Sequence, residues 1–128
     1  MTVASPLNGL NILVVEDEFL IAMELTRMIR NLGGQVLGPV TTVIAGTELL
    51  QKSVVDGAVV DINLGKESSA SLAEELLARG VPLVLTTGYS EDMLPDVLAQ
   101  VPRLSKPYTK SGFQQIAVAH FVRSSYNP

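Results

Sequence analysis

Apolar and polar positions follow two rhythms along this chain. Short continuous apolar runs give way to stretches where apolar residues return every three or four positions. Residues 10–15 form the first run; rich in branched aliphatics, it predicts a buried strand. Behind it Ile21, Leu25, Met28, Ile29 and Leu32 share one helical face, and Gly33-Gly34 supplies the stop. Residues 35–37 predict a short strand interrupted by Gly38-Pro39, and Thr41 or Thr42 is placed to cap a second helix reaching about Ser53. Asp56-Gly57 predicts a turn into a strand over residues 58–61. Ser71-Leu-Ala-Glu74 matches a capping box for a helix ending at Gly80. Pro82 then opens a strand over residues 83–86. Residues 90–100 carry a weak helical pattern that Pro95 confines to a first turn or splits. Residues 103–105 read as a short strand, and Phe113, Ile116, Ala117, His120 and Phe121 mark a closing helix.

Strand and helix alternate with crossovers long enough for parallel pairing. The expected fold is α/β: a doubly wound five-stranded parallel sheet, flavodoxin-like in its strand order 2-1-3-4-5, with helices on both faces. The 128 residues suit a single domain, with a core expected over about 10–122 and loose tails at 1–8 and 124–128. An apolar fraction of 47% argues against disorder, and an aromatic share of 5% leaves the packing to aliphatic side chains. A net charge of -4, with basic residues scattered, disfavours a nucleic-acid surface. The absence of cysteine excludes disulfides, thiol catalysis and thiolate metal sites, and one histidine cannot build a multi-histidine zinc site. The N-terminus lacks the pattern of a signal peptide, and no apolar stretch approaches the roughly 20 residues that span a bilayer. A cytoplasmic protein without membrane contact is the expectation.

Chemistry gathers where the apolar runs stop. Glu16 and Asp17 directly follow the first run, and Asp61 ends the run Ala58-Val59-Val60. Parallel strands bring such ends to one edge of the sheet, where three carboxylates repel one another and are costly to desolvate. A hard divalent cation, Mg2+ first among them, is the natural compensation. Thr86-Thr87-Gly88 and Lys106-Pro107 close two further runs and add a hydroxyl and an ammonium that could hold an anion beside the metal. Together these groups suit a phosphoryl group.

In this order, Glu16-Asp17, Asp61, Thr87 and Lys106-Pro107 resemble the receiver domain of bacterial two-component response regulators, over residues 10 to about 122. The resemblance implies that Asp61 is the phosphoacceptor, attacking a phosphohistidine to form an acyl phosphate. It implies that Glu16, Asp17, Asp61 and the backbone carbonyl of Asn63 hold Mg2+. Lys106 would pair with the phosphoryl oxygens, its bond to Pro107 usually being cis in this family. Thr87 would be the switch hydroxyl. The implied partner is a sensor histidine kinase, with a histidine phosphotransfer or output protein downstream. Beyond phosphorylating and dephosphorylating itself, no enzyme activity is implied. Pro82-Leu-Val-Leu-Thr-Thr-Gly-Tyr89 further resembles the Pro-Phe-x-Phe-Ala-Thr-Gly-Tyr signature of a subgroup, often single-domain and partnered with HWE-type kinases, although Leu83, Leu85 and Thr86 depart from it. Arg103 stands where many receivers carry a switching aromatic, which makes Tyr89 the substitute candidate.

Simpler readings stand beside these. Acids at a helix N-terminus are favoured by its dipole alone, Thr87 can serve as a turn former before Gly88, and Lys106 can be a solvated lysine. His120 reads as an edge-of-core histidine. A haloacid-dehalogenase-type Mg2+ phosphatase also uses a strand-end aspartate but wants a carboxylate two residues on, where this chain has Asn63. A flavin or nucleotide domain of the same topology needs a phosphate-cradling loop where Glu16-Asp17-Glu18-Phe19 stands. The leading expectation is a stand-alone receiver, with a receiver cut from a hybrid kinase as the alternative.

Overall fold

A computed structural model describes residues 5–65, 67–88 and 94–122. Five parallel strands, β1 (Asn11–Val15), β2 (Gln35–Val40), β3 (Gly57–Asp61), β4 (Leu83–Thr87) and β5 (Arg103–Ser105), form one sheet in the order β2-β1-β3-β4-β5. The helices are α1 (Phe19–Asn31), α2 (Val43–Lys52), α3 (Ala70–Ala78) and α4 (Lys110–Ala117), the last continuing as a π-helical turn over Val118–Val122. This is the doubly wound flavodoxin-like arrangement expected from the alternation.

Side chains on a strand point alternately to its two faces, and here both faces are dry. Ile12, Val14, Val59 and Val84 pack with Leu25, Ile29, Phe113 and Phe121 beneath α1 and α4. Their chain neighbours Leu13, Val15, Val60 and Leu85 pack with Leu50, Leu72 and Leu76 beneath α2 and α3. Continuous apolar runs are the signature of such doubly covered strands. Two glycines let the layers close up. A Cβ on Gly57 would meet the Phe121 ring at 2.8 Å, and one on Gly46 would meet Leu72 at 2.8 Å.

The structure departs from the sequence reading in four places. Strand β2 does not stop at Leu37 but passes through Gly38 and Pro39 to Val40. Gly38 takes φ +98°, the pairing with β1 slips between Leu13 and Val15, and the edge position spares Pro39 a ladder hydrogen bond. Helix α3 starts at Ala70, so Ser71 lies inside it and the capping box is not used. A small hairpin pairing Asn63–Leu64 with Glu67–Ser68 turns the chain back earlier, and Ser68 Oγ accepts from the Ala70 N–H at 3.2 Å. Of the stretch 90–100, residues 94–100 are described and hold a 3-10 turn, Asp96–Leu98, rather than an α-helical one; it follows Pro95 and buries Leu98, and residues 90–93 lie outside the described ones. The tail drawn at 1–8 is too long: Leu7 is fully buried, and its N–H donates to the Leu32 carbonyl at 2.8 Å.

Candidate functional site

The C-terminal edge of the sheet collects the residues singled out by the sequence. Glu16 and Asp17 follow β1, Asp61 is the last residue of β3, Thr87 the last of β4, and Lys106 follows β5. Backbone hydrogen bonds continue the sheet past its formal ends. The Glu16 N–H donates to the Val40 carbonyl at 2.9 Å, and the Lys106 N–H to the Thr87 carbonyl at 2.8 Å. The Lys106-Pro107 bond is cis.

Lys106 is the hub. Its ammonium lies 2.8 Å from Asp61 Oδ2, 2.9 Å from Glu18 Oε2 and 3.2 Å from Glu16 Oε2, with Glu16 Oε1 at 3.0 Å. An ammonium has three protons, and three carboxylates engage them. Glu16 is wholly buried, Asp61 nearly so and Asp17 exposed. Backbone amides hold the two buried acids in place: Glu18 N–H donates to Glu16 Oε2 at 3.0 Å, and Asn63 N–H to Asp61 Oδ1 at 3.1 Å. Ser69 is fully buried, and its hydroxyl donates to the Asp61 carbonyl, which ties the start of α3 to the end of β3.

Burial pushes the Glu16 carboxyl up to about 7, with nearby Asp61 adding to the rise and the Glu18 amide and Lys106 opposing it. Burial alone would lower the Lys106 ammonium, but its bonds to Asp61, Glu18 and Glu16 overcome that and raise it well above its usual range. The Tyr108 hydroxyl is raised too, by burial first and by the negative charge of Glu16 next. That hydroxyl, the Thr86 hydroxyl and Glu16 Oε1 are buried without an aligned hydrogen-bond partner.

Glu16, Asp17, Glu18 and Asp61 each bring one carboxylate oxygen into a set whose members lie within 4.8 Å of one another. All-oxygen, anionic donors match a hard divalent cation such as Mg2+. Glu16 Oε1, buried and lacking an aligned donor, is a ready ligand atom. The residues present fit the metal.

Of the sequence candidates, the structure unites Glu16, Asp17, Asp61, Thr87 and Lys106 at one edge, with Asn63 in the adjoining hairpin. Tyr89 lies outside the described residues. Arg103 is exposed on β5. Sequence reasoning missed Glu18, Ser69 and Tyr108. Glu18 carried a signal, since it extends the acid pair by one; the other two carried none.

No family model matches the chain. The solution structure of SdrG from Sphingomonas melonis Fr1 is 38% identical, with the match covering 85% of this chain and 94% of that one at a TM-score of 0.75. A CheY-like response regulator receiver domain protein from Methanospirillum hungatei JF-1 superposes with a TM-score of 0.80 over 91% of this chain and 97% of that one; at 19% identity it supports the fold. The chain belongs to the response regulator receiver family. Transcriptional regulatory protein PdtaR of Mycobacterium tuberculosis is 27% identical over 81 residues, 62% of this receiver, which spans only 40% of PdtaR's length. Receiver domains hold Mg2+ at an acidic pocket, and this chain has an acidic cluster of Glu16, Asp17, Glu18 and Asp61. Among the described residues, no helix is long and apolar enough to cross a membrane.

Proposed function

We propose that this receiver accepts a phosphoryl group on Asp61 from a sensor histidine kinase and signals through protein contacts or onward transfer to a histidine protein. The observation that carries the reading is the setting of Asp61. Its carboxylate is almost entirely buried at a strand end, 2.8 Å from Lys106, inside a set of acids able to hold a divalent cation. In the transfer, an Asp61 oxygen attacks phosphorus, the N–P bond of the phosphohistidine breaks, and the histidine nitrogen keeps the electron pair. Glu16, Asp17, Asp61 and the Asn63 carbonyl would hold Mg2+, which offsets the charge that builds up during transfer. Lys106 pairs with the phosphoryl oxygens. Thr87, buried at the end of β4, supplies the hydroxyl whose shift reports the modification, and Tyr89 is the switch candidate that the sequence adds.

The protein does not turn over phosphomonoesters, because the position two residues after Asp61 offers a backbone amide and no carboxylate to act as general acid. Its acidic balance favours protein partners over nucleic acid. Kinases of the HWE type are the partner class suggested by the stretch 82–89. Incubation with acetyl phosphate tests the reading. Stoichiometric labelling is expected with Mg2+ and is lost without it or in Asp61→Asn. Labelling that persists in Asp61→Asn overturns the assignment.

A further inference from the structure

Glu18 occupies the N-cap position of α1, where an acidic side chain ordinarily turns back to the exposed helix amides. It does not do so here: its carboxylate makes no capping hydrogen bond. Instead it reaches across 88 residues of sequence to the Lys106 ammonium at 2.9 Å. Nor is this an ordinary surface pair, because the Lys106 side chain is only 11% exposed whereas that of Glu18 is 60% exposed.

We infer that Glu18 is a positioning residue that restrains Lys106, so that a phosphoryl group on Asp61 must compete with it for the ammonium. The inference rests on the phosphoacceptor reading above. All three ammonium protons already have acceptors in Asp61, Glu18 and Glu16. Once an Asp61 oxygen bonds to phosphorus that carboxylate loses its charge, and the phosphoryl oxygens compete with Glu16 and Glu18 for the ammonium. Of these two, Glu16 is buried and tied to the Glu18 amide. Glu18 alone has water at hand to take over its solvation as it lets go. Its charge acts in the same direction, since it is one more anion beside an incoming anion. Glu18 therefore sets how readily the site accepts the group, without belonging to the bond-making set.

The test is the affinity for beryllofluoride, a phosphoryl mimic, read from backbone resonances at saturating Mg2+. Glu18→Gln keeps the shape and should bind more tightly by roughly fivefold, the scale of one partly exposed ion pair. Glu18→Asp keeps the charge but is one methylene too short to hold Lys106, and it should also bind more tightly than wild type. Both variants should fold, because the largely exposed Glu18 side chain makes no capping hydrogen bond. Unchanged or weaker binding by Glu18→Gln overturns the inference. So does wild-type affinity in Glu18→Asp, which would mean that charge alone matters. Wild-type protein that takes up no beryllofluoride overturns the phosphoacceptor reading and this inference with it.

Discussion

Residues 12–15 of β1 are entirely buried among apolar side chains, and Glu16, the residue directly after the strand, is just as buried among carboxylates. The first environment is satisfied from every side. The second gathers Glu16, Glu18 and Asp61 around the Lys106 ammonium, with Asp17 in the same acid set. In the core, identity can vary as long as volume and apolarity are kept. At the edge, removal of one group changes the charge balance of all the others. The sheet interior is thus built for stability, and its C-terminal edge holds an excess of negative charge that a cation can offset.

The sharpest break comes from the core. Phe113 is fully buried between α4 and the sheet. Phe113→Ala should cost about 3–5 kcal/mol in chemical denaturation, with no change in the Mg2+ preference of whatever folded protein remains. Next comes Lys106→Met, which leaves Glu16 and Asp61 buried without their cation. It should cost about 3 kcal/mol, and Mg2+ should restore part of the loss in thermal unfolding; a loss that Mg2+ leaves untouched would separate the lysine from the acid set.

A smaller effect sharpens the contrast from the metal side. Saturating Mg2+ should stabilise the wild-type protein, by about 2.7 kcal/mol at a hundredfold excess over its Kd. The gain should shrink in Asp17→Asn, whose exposed side chain contributes little to packing. An unchanged melting temperature in Mg2+ would count against the acid set as a metal site.

How much of this was legible in the sequence follows the same division. The buried strands declared themselves through continuous aliphatic runs, and the strand ends through the acids, threonine and lysine placed at or directly after them. Short-range chemistry at element boundaries was harder. Ser71 and Glu74 have capping-box spacing, yet the hairpin at residues 63–68, whose strands are two residues each, starts the helix before them. Two-residue strands carry no periodicity to read. Leu7 looked like tail because a single apolar residue has no pattern, although it closes the bottom of the core against Leu32. The Glu18–Lys106 contact depends on where two distant loops meet, which local pattern cannot supply.

The pH dependence of stability should also differ between the two regions. Glu16 has its pKa raised from 4.5 to about 7 in the fold, so the native state holds that proton more tightly than the unfolded chain. Its contribution is therefore fully present below pH 4.5 and is lost as pH rises through about 7. Without Mg2+, Glu16→Gln should flatten that decline and leave the protein more stable than wild type above neutrality, as followed by denaturant midpoints across pH. Identical pH profiles for the two proteins would contradict the account of Glu16. A core substitution such as Val59→Ala should lower the whole curve without changing its shape.

The most direct test of the claim that the acidic edge accepts a phosphoryl group is to trap it chemically. Protein phosphorylated in the presence of Mg2+ is reduced with borohydride, which converts an aspartyl phosphate to homoserine, and the modified residue is located by peptide mass spectrometry. The account predicts conversion at Asp61 and at no other position. Conversion at another acid, or a label carried by His120 with Asp61 unchanged, would contradict it.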